Sequence, residues 1–151
     1  MRRRFYLSGG IEHSGDGGRG WRREIGEFLE GLGDEVYDPA ADEKKDLTDE
    51  EVRGFRAWKK DAPERFRDVV RKIIAWDLGH VETRSDCVLA YWDEAAARGG
   101  GTAAEITLAY RLGKPVYLVL GMPRENASGW VLACATEVFG SFEEFRSAFQ
   151  R

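Results

Sequence analysis

The sequence predicts an α/β protein built on a doubly wound parallel sheet, and two observations carry that prediction. Short apolar runs of strand length alternate with stretches whose apolar residues recur at helical spacing, roughly five times along the chain. Two of these runs, "DCVLAYWD" at 86–93 and "PVYLVLG" at 115–121, are apolar without alternation, the pattern of a strand covered by helices on both faces. Right-handed crossovers then link five strands, with helices on both sides of the sheet. With 151 residues, 42% hydrophobic and 33% charged, the chain has the size and composition expected of one domain spanning 1–151.

The elements follow in order. Residues 4–8, "RFYLS", form a strand that runs into the glycine-dense loop "GGIEHSGDGGRG". Trp21, Ile25, Phe28, Leu29 and Leu32 mark a helix ended by "GLG", and "DEVYDP" is a short strand closed by Pro39. Residues 40–62 are dense in charge and read as an inserted, lid-like surface segment, partly helical. After Pro63 a helix places Phe66, Val70, Ile73, Asp77 and Val81 on one stripe, so an acid falls among apolar residues. The strand at 86–93, the helix "GTAAEITLAYRLGK" and the strand at 115–121 follow, and "TEVFGSFEEFRSAFQ" supplies a last short strand and an amphipathic helix.

Composition narrows the function classes. A net charge of −4 gives no overall attraction to a phosphate backbone, so a nucleic acid polymer is not an expected partner, whereas a small nucleotide is compatible with a local basic site. No apolar run has the length of a bilayer span, and the apolar stretch of "MRRRFYLSGG" is too short for a signal-peptide core, which points to a cytoplasmic protein with no membrane partner. Cys87 and Cys134 sit in apolar contexts and read as buried reduced thiols. His13 and His80 stand alone, so neither a metal nor a cofactor is expected.

Ligands of such a sheet bind beyond the carboxyl ends of the strands, where strand order reverses. The first strand exits at Ser8, Gly9 and Gly10, the third at Trp92 and Asp93, and the helix carrying Glu105 starts soon after, behind Gly101 and Thr102. Two readings of Glu105 fit. Thr102 to Glu105 match the T-x-x-E capping box, as do Thr48 to Glu51 and Ser141 to Glu144. Only Glu105, however, follows a buried strand and a glycine run at the expected crevice, where a carboxylate could perform chemistry. Asp77 likewise reads either as a helix-end cap or as a ligand-facing carboxylate. The loop "GDGGRGWRR" with Arg19 could cradle a phosphate ahead of a helix, although its glycine spacing matches no nucleotide-binding fingerprint. Trp21, Trp58, Trp76 and Trp92 read as aromatic core that could include a stacking platform for a base.

Three stretches together, "FYLSGGIE…GGRGWRREIGEFL…VYDP", "DLGHVETRSDCVLAYWD" and "GGGTAAEITLAYRLGKPVYLV", resemble the nucleoside 2-deoxyribosyltransferase family and its nucleoside and nucleotide N-glycosidase relatives. The similarity covers nearly the whole chain, including the closing "FGSFEEF". It implies a flavodoxin-like domain that cleaves the bond between a nucleobase and C1′ of deoxyribose through a glutamate nucleophile. Glu105 matches that nucleophile, Asp77 the aspartate beside sugar and base that helps proton transfer, and Tyr6 the tyrosine that positions the nucleophile.

By their place at the expected crevice or in the glycine loop, Ser8, Gly9, Gly10, Gly101, Thr102, Asp93 and Arg19 are the candidates for substrate binding, with Asp93 reading equally as a strand-terminal turn acid. One departure stands out: many members carry an aspartate six residues before the nucleophile, in D-x-G-[ST]-x-x-E, and this chain has Gly99 there. The resemblance also implies a homo-oligomer. Partners are then a small nucleoside or nucleotide and a nucleobase, with transfer to a second base or to water as the outcome, and a non-catalytic nucleotide-binding module as the alternative of another class.

Overall fold

The fold is taken from a computed structural model that describes residues 2–150. Its strands are β1 (Arg4–Gly9), β2 (Glu35–Tyr37), β3 (Cys87–Trp92), β4 (Val116–Leu120) and β5 (Glu137–Phe139), all parallel in one sheet ordered β2-β1-β3-β4-β5. That order is the flavodoxin-like doubly wound arrangement, and strand order reverses between β1 and β3. Register there pairs Ser8 with Ala90 and Gly9 with Tyr91. The exits of both strands therefore lie side by side.

Helices α1 (Arg19–Gly31) and α7 (Phe142–Phe149) cover one face of the sheet, and α5 (Gly101–Arg111) and α6 (Gly129–Cys134) the other. Alternation along β1 sends Phe5 and Leu7 to the α1 side, where they meet Ile25, Leu29 and Phe145. Tyr6 points the opposite way, into a core with Val88, Ala90, Ile106 and Leu118. Ser8, two residues on, shares that face. Period-two geometry thus aims the two hydroxyls of β1 at α5.

Within residues 40–62, read from sequence as partly helical, the helix is α2 (Asp49–Asp61), opened by a reciprocal capping box between Thr48 and Glu51. It packs on α3 (Pro63–Gly79), which begins with proline at its first turn and runs on into a π-helical turn, His80–Arg84. Two helices, α4 (Glu94–Arg98) and α6, were not legible in the sequence. Both are about as short as the strands, too short to display a helical period, and each is started by a side-chain cap, Asp93 or Ser128. No helix among the described residues is long and apolar enough to cross a membrane.

The loop from β1 to α1 is held by Arg22, which is buried on the inner face of α1. Its guanidinium donates to the carbonyls of Leu7 (3.2 Å), Gly9 (2.8 Å), Gly10 (3.4 Å) and Gly18 (2.8 Å). Those carbonyls are at the end of β1 and the start of α1, so one cation fixes the floor of the crevice. Gly18 has φ 74, and a Cβ there would overlap the guanidinium and the Gly10 carbonyl. Arg22→Met should leave the stem packed but orphan these carbonyls, lowering stability by about 3 kcal/mol in a urea denaturation series.

Candidate active site

Helix α5 begins at Gly101 behind a glycine cap, Gly100, with no side-chain cap bond. Thr102 is therefore inside the first turn and cannot act as the cap, so the capping-box reading of Glu105 does not describe this helix. The Glu105 carboxyl instead leaves its own helix and reaches β1. Tyr6 Oη donates to Oε2 at 2.5 Å and Ser8 Oγ donates to Oε1 at 2.6 Å. The other two matches behave as caps: Glu51 accepts from the Thr48 amide at 2.8 Å, and Ser141 Oγ accepts from the Glu144 amide at 3.1 Å.

Glu105 is buried, with 9% of its surface exposed. Burial pushes its carboxyl up to about 7, while the hydrogen bonds from Ser8 and Tyr6 pull down, the Asp77 charge pushes up and Arg22 pulls down. Tyr6 is held well above the ordinary phenol range, first by burial and then by Glu105 and Asp77, so it stays a donor.

Asp77 lies near the end of α3, 8% exposed. Its Oδ2 meets Lys45 Nζ at 2.9 Å, and its Oδ1 is buried without a hydrogen-bond partner. Burial raises its pKa, against the pull of Lys45. Lys45 itself is buried and left-handed, with φ 41, and the exposed Asp46 beside it is left-handed too, with φ 63. Such backbone costs about 1 kcal/mol or more per non-glycine residue and persists only where the surroundings impose it.

A cleft of about 590 Å³ brings these groups together, a size that admits a small ligand. Glu105, Asp77, Gly101 and Thr102 line it, as do Gly9 and Gly10 from the β1 exit and Arg19 from the start of α1. Tyr6 and Ser8 are behind Glu105 and are not part of the lining, so they touch the cleft only through its carboxyl. Gly99 also lines the cleft, presenting no side chain where the family pattern has an aspartate.

Three sequence expectations are placed differently. Asp93 is not on the cleft; its Oδ1 accepts from the Ala96 amide at 2.9 Å and caps α4. The phosphate cradle expected ahead of α1 is filled by the protein's own Asp16, whose carboxylate accepts from the amides of Gly18 (2.8 Å) and Gly20 (3.0 Å). Arg19 is meanwhile paired with Glu43 at 2.6 Å, both exposed. Of the tryptophans, none lines the cleft: Trp21 stacks on Phe142, Trp58 packs against Arg65, Trp76 donates to Asp42 and Trp92 is core.

The aromatic wall of the cleft comes instead from Phe55 and Phe66, stacked across α2 and α3 with ring centres 6.2 Å apart. Phe66 was on the predicted stripe; Phe55, Asp42 and Lys45 were hidden in the charged segment. Arg22 looked like one more charge on an amphipathic helix, with no local signal of burial.

The pH dependence of stability follows from Glu105. Its folded value of about 7 exceeds the roughly 4.3 of an unfolded glutamate, so the folded state holds an extra proton between them. The contribution is full below about pH 4.3 and is lost as pH rises through 7. Glu105→Gln removes this loss, so relative to the parent chain it should gain about 2.5 kcal/mol between pH 5 and pH 8, measured by urea unfolding at each pH.

No family model matches this chain, and no curated protein matches its sequence. Among solved structures it is similar to the 2-deoxyribosyltransferase of the psychrotolerant bacterium Bacillus psychrosaccharolyticus, with a TM-score of 0.64 at 19% identity over 95% of this chain and 90% of that one. It is also similar to the CMP N-glycosidase BcmB of Clostridium botulinum, with a TM-score of 0.54 at 16% identity over 98% of each chain. These are the two kinds of enzyme that the sequence resembles. The chain shares the flavodoxin-like fold of the 2-deoxyribosyltransferase and the N-glycosidase over the lengths matched.

Proposed function

We propose that this protein cleaves the N-glycosidic bond of a nucleoside, with Glu105 as nucleophile, and passes the sugar to another base or to water. The single observation that carries the reading is the Glu105 carboxyl, turned away from its own helix, held by two hydroxyls and lining the cleft at the reversal point of the sheet. Departure of the base builds positive charge on the anomeric carbon and ring oxygen. A fixed carboxylate beside that carbon stabilises the charge and can trap it as a glycosyl ester. The likeness to a 2-deoxyribosyltransferase and a CMP N-glycosidase supports this chemistry.

In this reading Tyr6 and Ser8 hold the carboxyl in one rotamer and Asp77 supplies the second carboxyl, beside sugar and base. Protonation of the leaving base from Asp77 needs a carboxyl that retains its proton; burial favours that, and Lys45 opposes it. Gly9 and Gly10 let the substrate approach the backbone at the β1 exit. Bond cleavage through a carboxylate nucleophile requires no cofactor. The same fold, with α2 burying none of its own residues, leaves room for the homo-oligomer that the resemblance implies.

A second reading, hydrolysis of a nucleoside 5′-monophosphate, is favoured by one feature: Arg19, Arg53 and Arg56 line the cleft and are of the charge a phosphate needs. A panel of deoxynucleosides, ribonucleosides and their monophosphates, each with and without a free acceptor base and resolved by chromatography, separates transfer from hydrolysis and nucleoside from nucleotide. Binding with no base released from any of them would leave a nucleotide-binding module.

Glu105→Ala should reduce base release about a thousandfold or more, and undiminished release would remove the mechanism. Because the nucleophile must be ionised, kcat/KM should rise with pH to a plateau above about 7. In Tyr6→Phe the lost hydrogen bond should move that limb to higher pH, as read from the rate profile.

A further inference from the structure

Resting on the nucleoside reading, we propose that Lys45 is a positioning residue of this site: its ammonium group occupies Oδ2 of Asp77, holds that side chain as a carboxylate and leaves Oδ1 to accept a hydrogen bond from a donor on the substrate. Three observations meet here. Lys45 Nζ is 2.9 Å from Oδ2, and Asp77 is its one hydrogen-bond partner among the described residues. Oδ1 is buried, unpartnered and part of a residue that lines the cleft. The backbone that delivers Lys45 is left-handed at two successive non-glycine positions, the only such residues among those described.

The charge state follows from the pairing. A proton placed on Asp77 would cost the buried Lys45 ammonium its one hydrogen-bonded counter-ion and leave it only the charge of Asp42, an unfavourable change in a protein interior. The groups facing Asp77 are Lys45 and Asp42 from the segment between β2 and α2, Arg22 from α1, Tyr6 from β1, Tyr37 from β2 and Glu105 from α5. Burial, the largest influence, opposes the ionised form, as do the charges of Asp42 and Glu105, although Asp42 Oδ2 is already taken by the Tyr37 hydroxyl (2.7 Å) and the Trp76 indole (2.9 Å). Lys45 and Arg22 favour it.

An ionised carboxylate has no proton to give, so Asp77 meets the substrate as an acceptor. A buried acceptor left empty is costly, and a substrate that fills it is selected over one that cannot. The donor is a sugar hydroxyl or an N–H of the base; both present the same chemistry to Oδ1.

The test is a carbon-detected NMR titration of the side-chain carboxyls in the full chain, alongside kinetics. In the parent protein Asp77 should be ionised at pH 7; a midpoint above 7 overturns the proposal whatever any variant does. In Lys45→Met the Asp77 midpoint should rise by at least about one pH unit, and Lys45→Arg should restore it. An unshifted midpoint in folded Lys45→Met also overturns it.

In kinetics Lys45→Met should raise KM about tenfold. That penalty should vanish for one class of substrate analogue, either those lacking a 2′- or 3′-hydroxyl or those lacking the base amine, and the class identifies the donor. A penalty that persists for every analogue removes the acceptor role. If no nucleoside or nucleotide is turned over at all, the glycosidic reading fails, and the titration still decides whether Lys45 holds Asp77.

Discussion

The site depends on one buried carboxyl shared between two distant parts of the chain. Glu105 accepts from Tyr6 and Ser8, and neither hydroxyl could reach it unless β1 alternated correctly and α5 packed on the same face of the sheet. The strand sets the spacing of the donors, and the helix sets the depth of the acceptor. Burial alone would keep the carboxyl protonated; the two hydroxyls and Arg22 bring it back toward neutrality, to about 7. That balance leaves a carboxyl poised between its protonated and ionised forms near pH 7.

The opposite wall is built by different means. Helices α2 and α3 bury little of themselves: α2 has no buried residue and α3 only Val69 and Asp77. The wall is tied down instead by polar contacts, Lys45 to Asp77, Lys59 to Glu12 at 2.6 Å and Tyr37 to Asp42 at 2.7 Å. The Glu105 carboxyl, fixed against the sheet by Tyr6 and Ser8, thus faces a wall held by ion pairs and hydrogen bonds. Exposed pairs are individually weak, so the buried Lys45–Asp77 contact is the one that fastens the segment ahead of α2 onto α3.

Sequence carried the sheet and its strands because parallel buried strands announce themselves as apolar runs, as in "CVLAYW" and "VYLVL". It carried the approximate place of the cleft as well, through the glycines at the strand exits. It was silent on whether Glu105 caps or faces the cleft, since the T-x-x-E pattern is common to both outcomes and helix start differs by only a residue or two between them. Lys45 was illegible for a sharper reason. Its burial comes from a left-handed turn inside a charged segment, and nothing in "DEKKDLTDE" marks one lysine as the inward one. Arg22 was hidden likewise, because its partners are backbone carbonyls, which have no sequence identity.

The central claim is that Glu105 bonds covalently to the anomeric carbon, and the direct measurement is peptide mapping by mass spectrometry after acid quench of a single-turnover reaction with a 2′-deoxynucleoside. The expected result is one deoxyribosyl mass on the peptide containing Glu105, absent from Glu105→Gln. Base release at full rate with the sugar mass found on a different residue would contradict it.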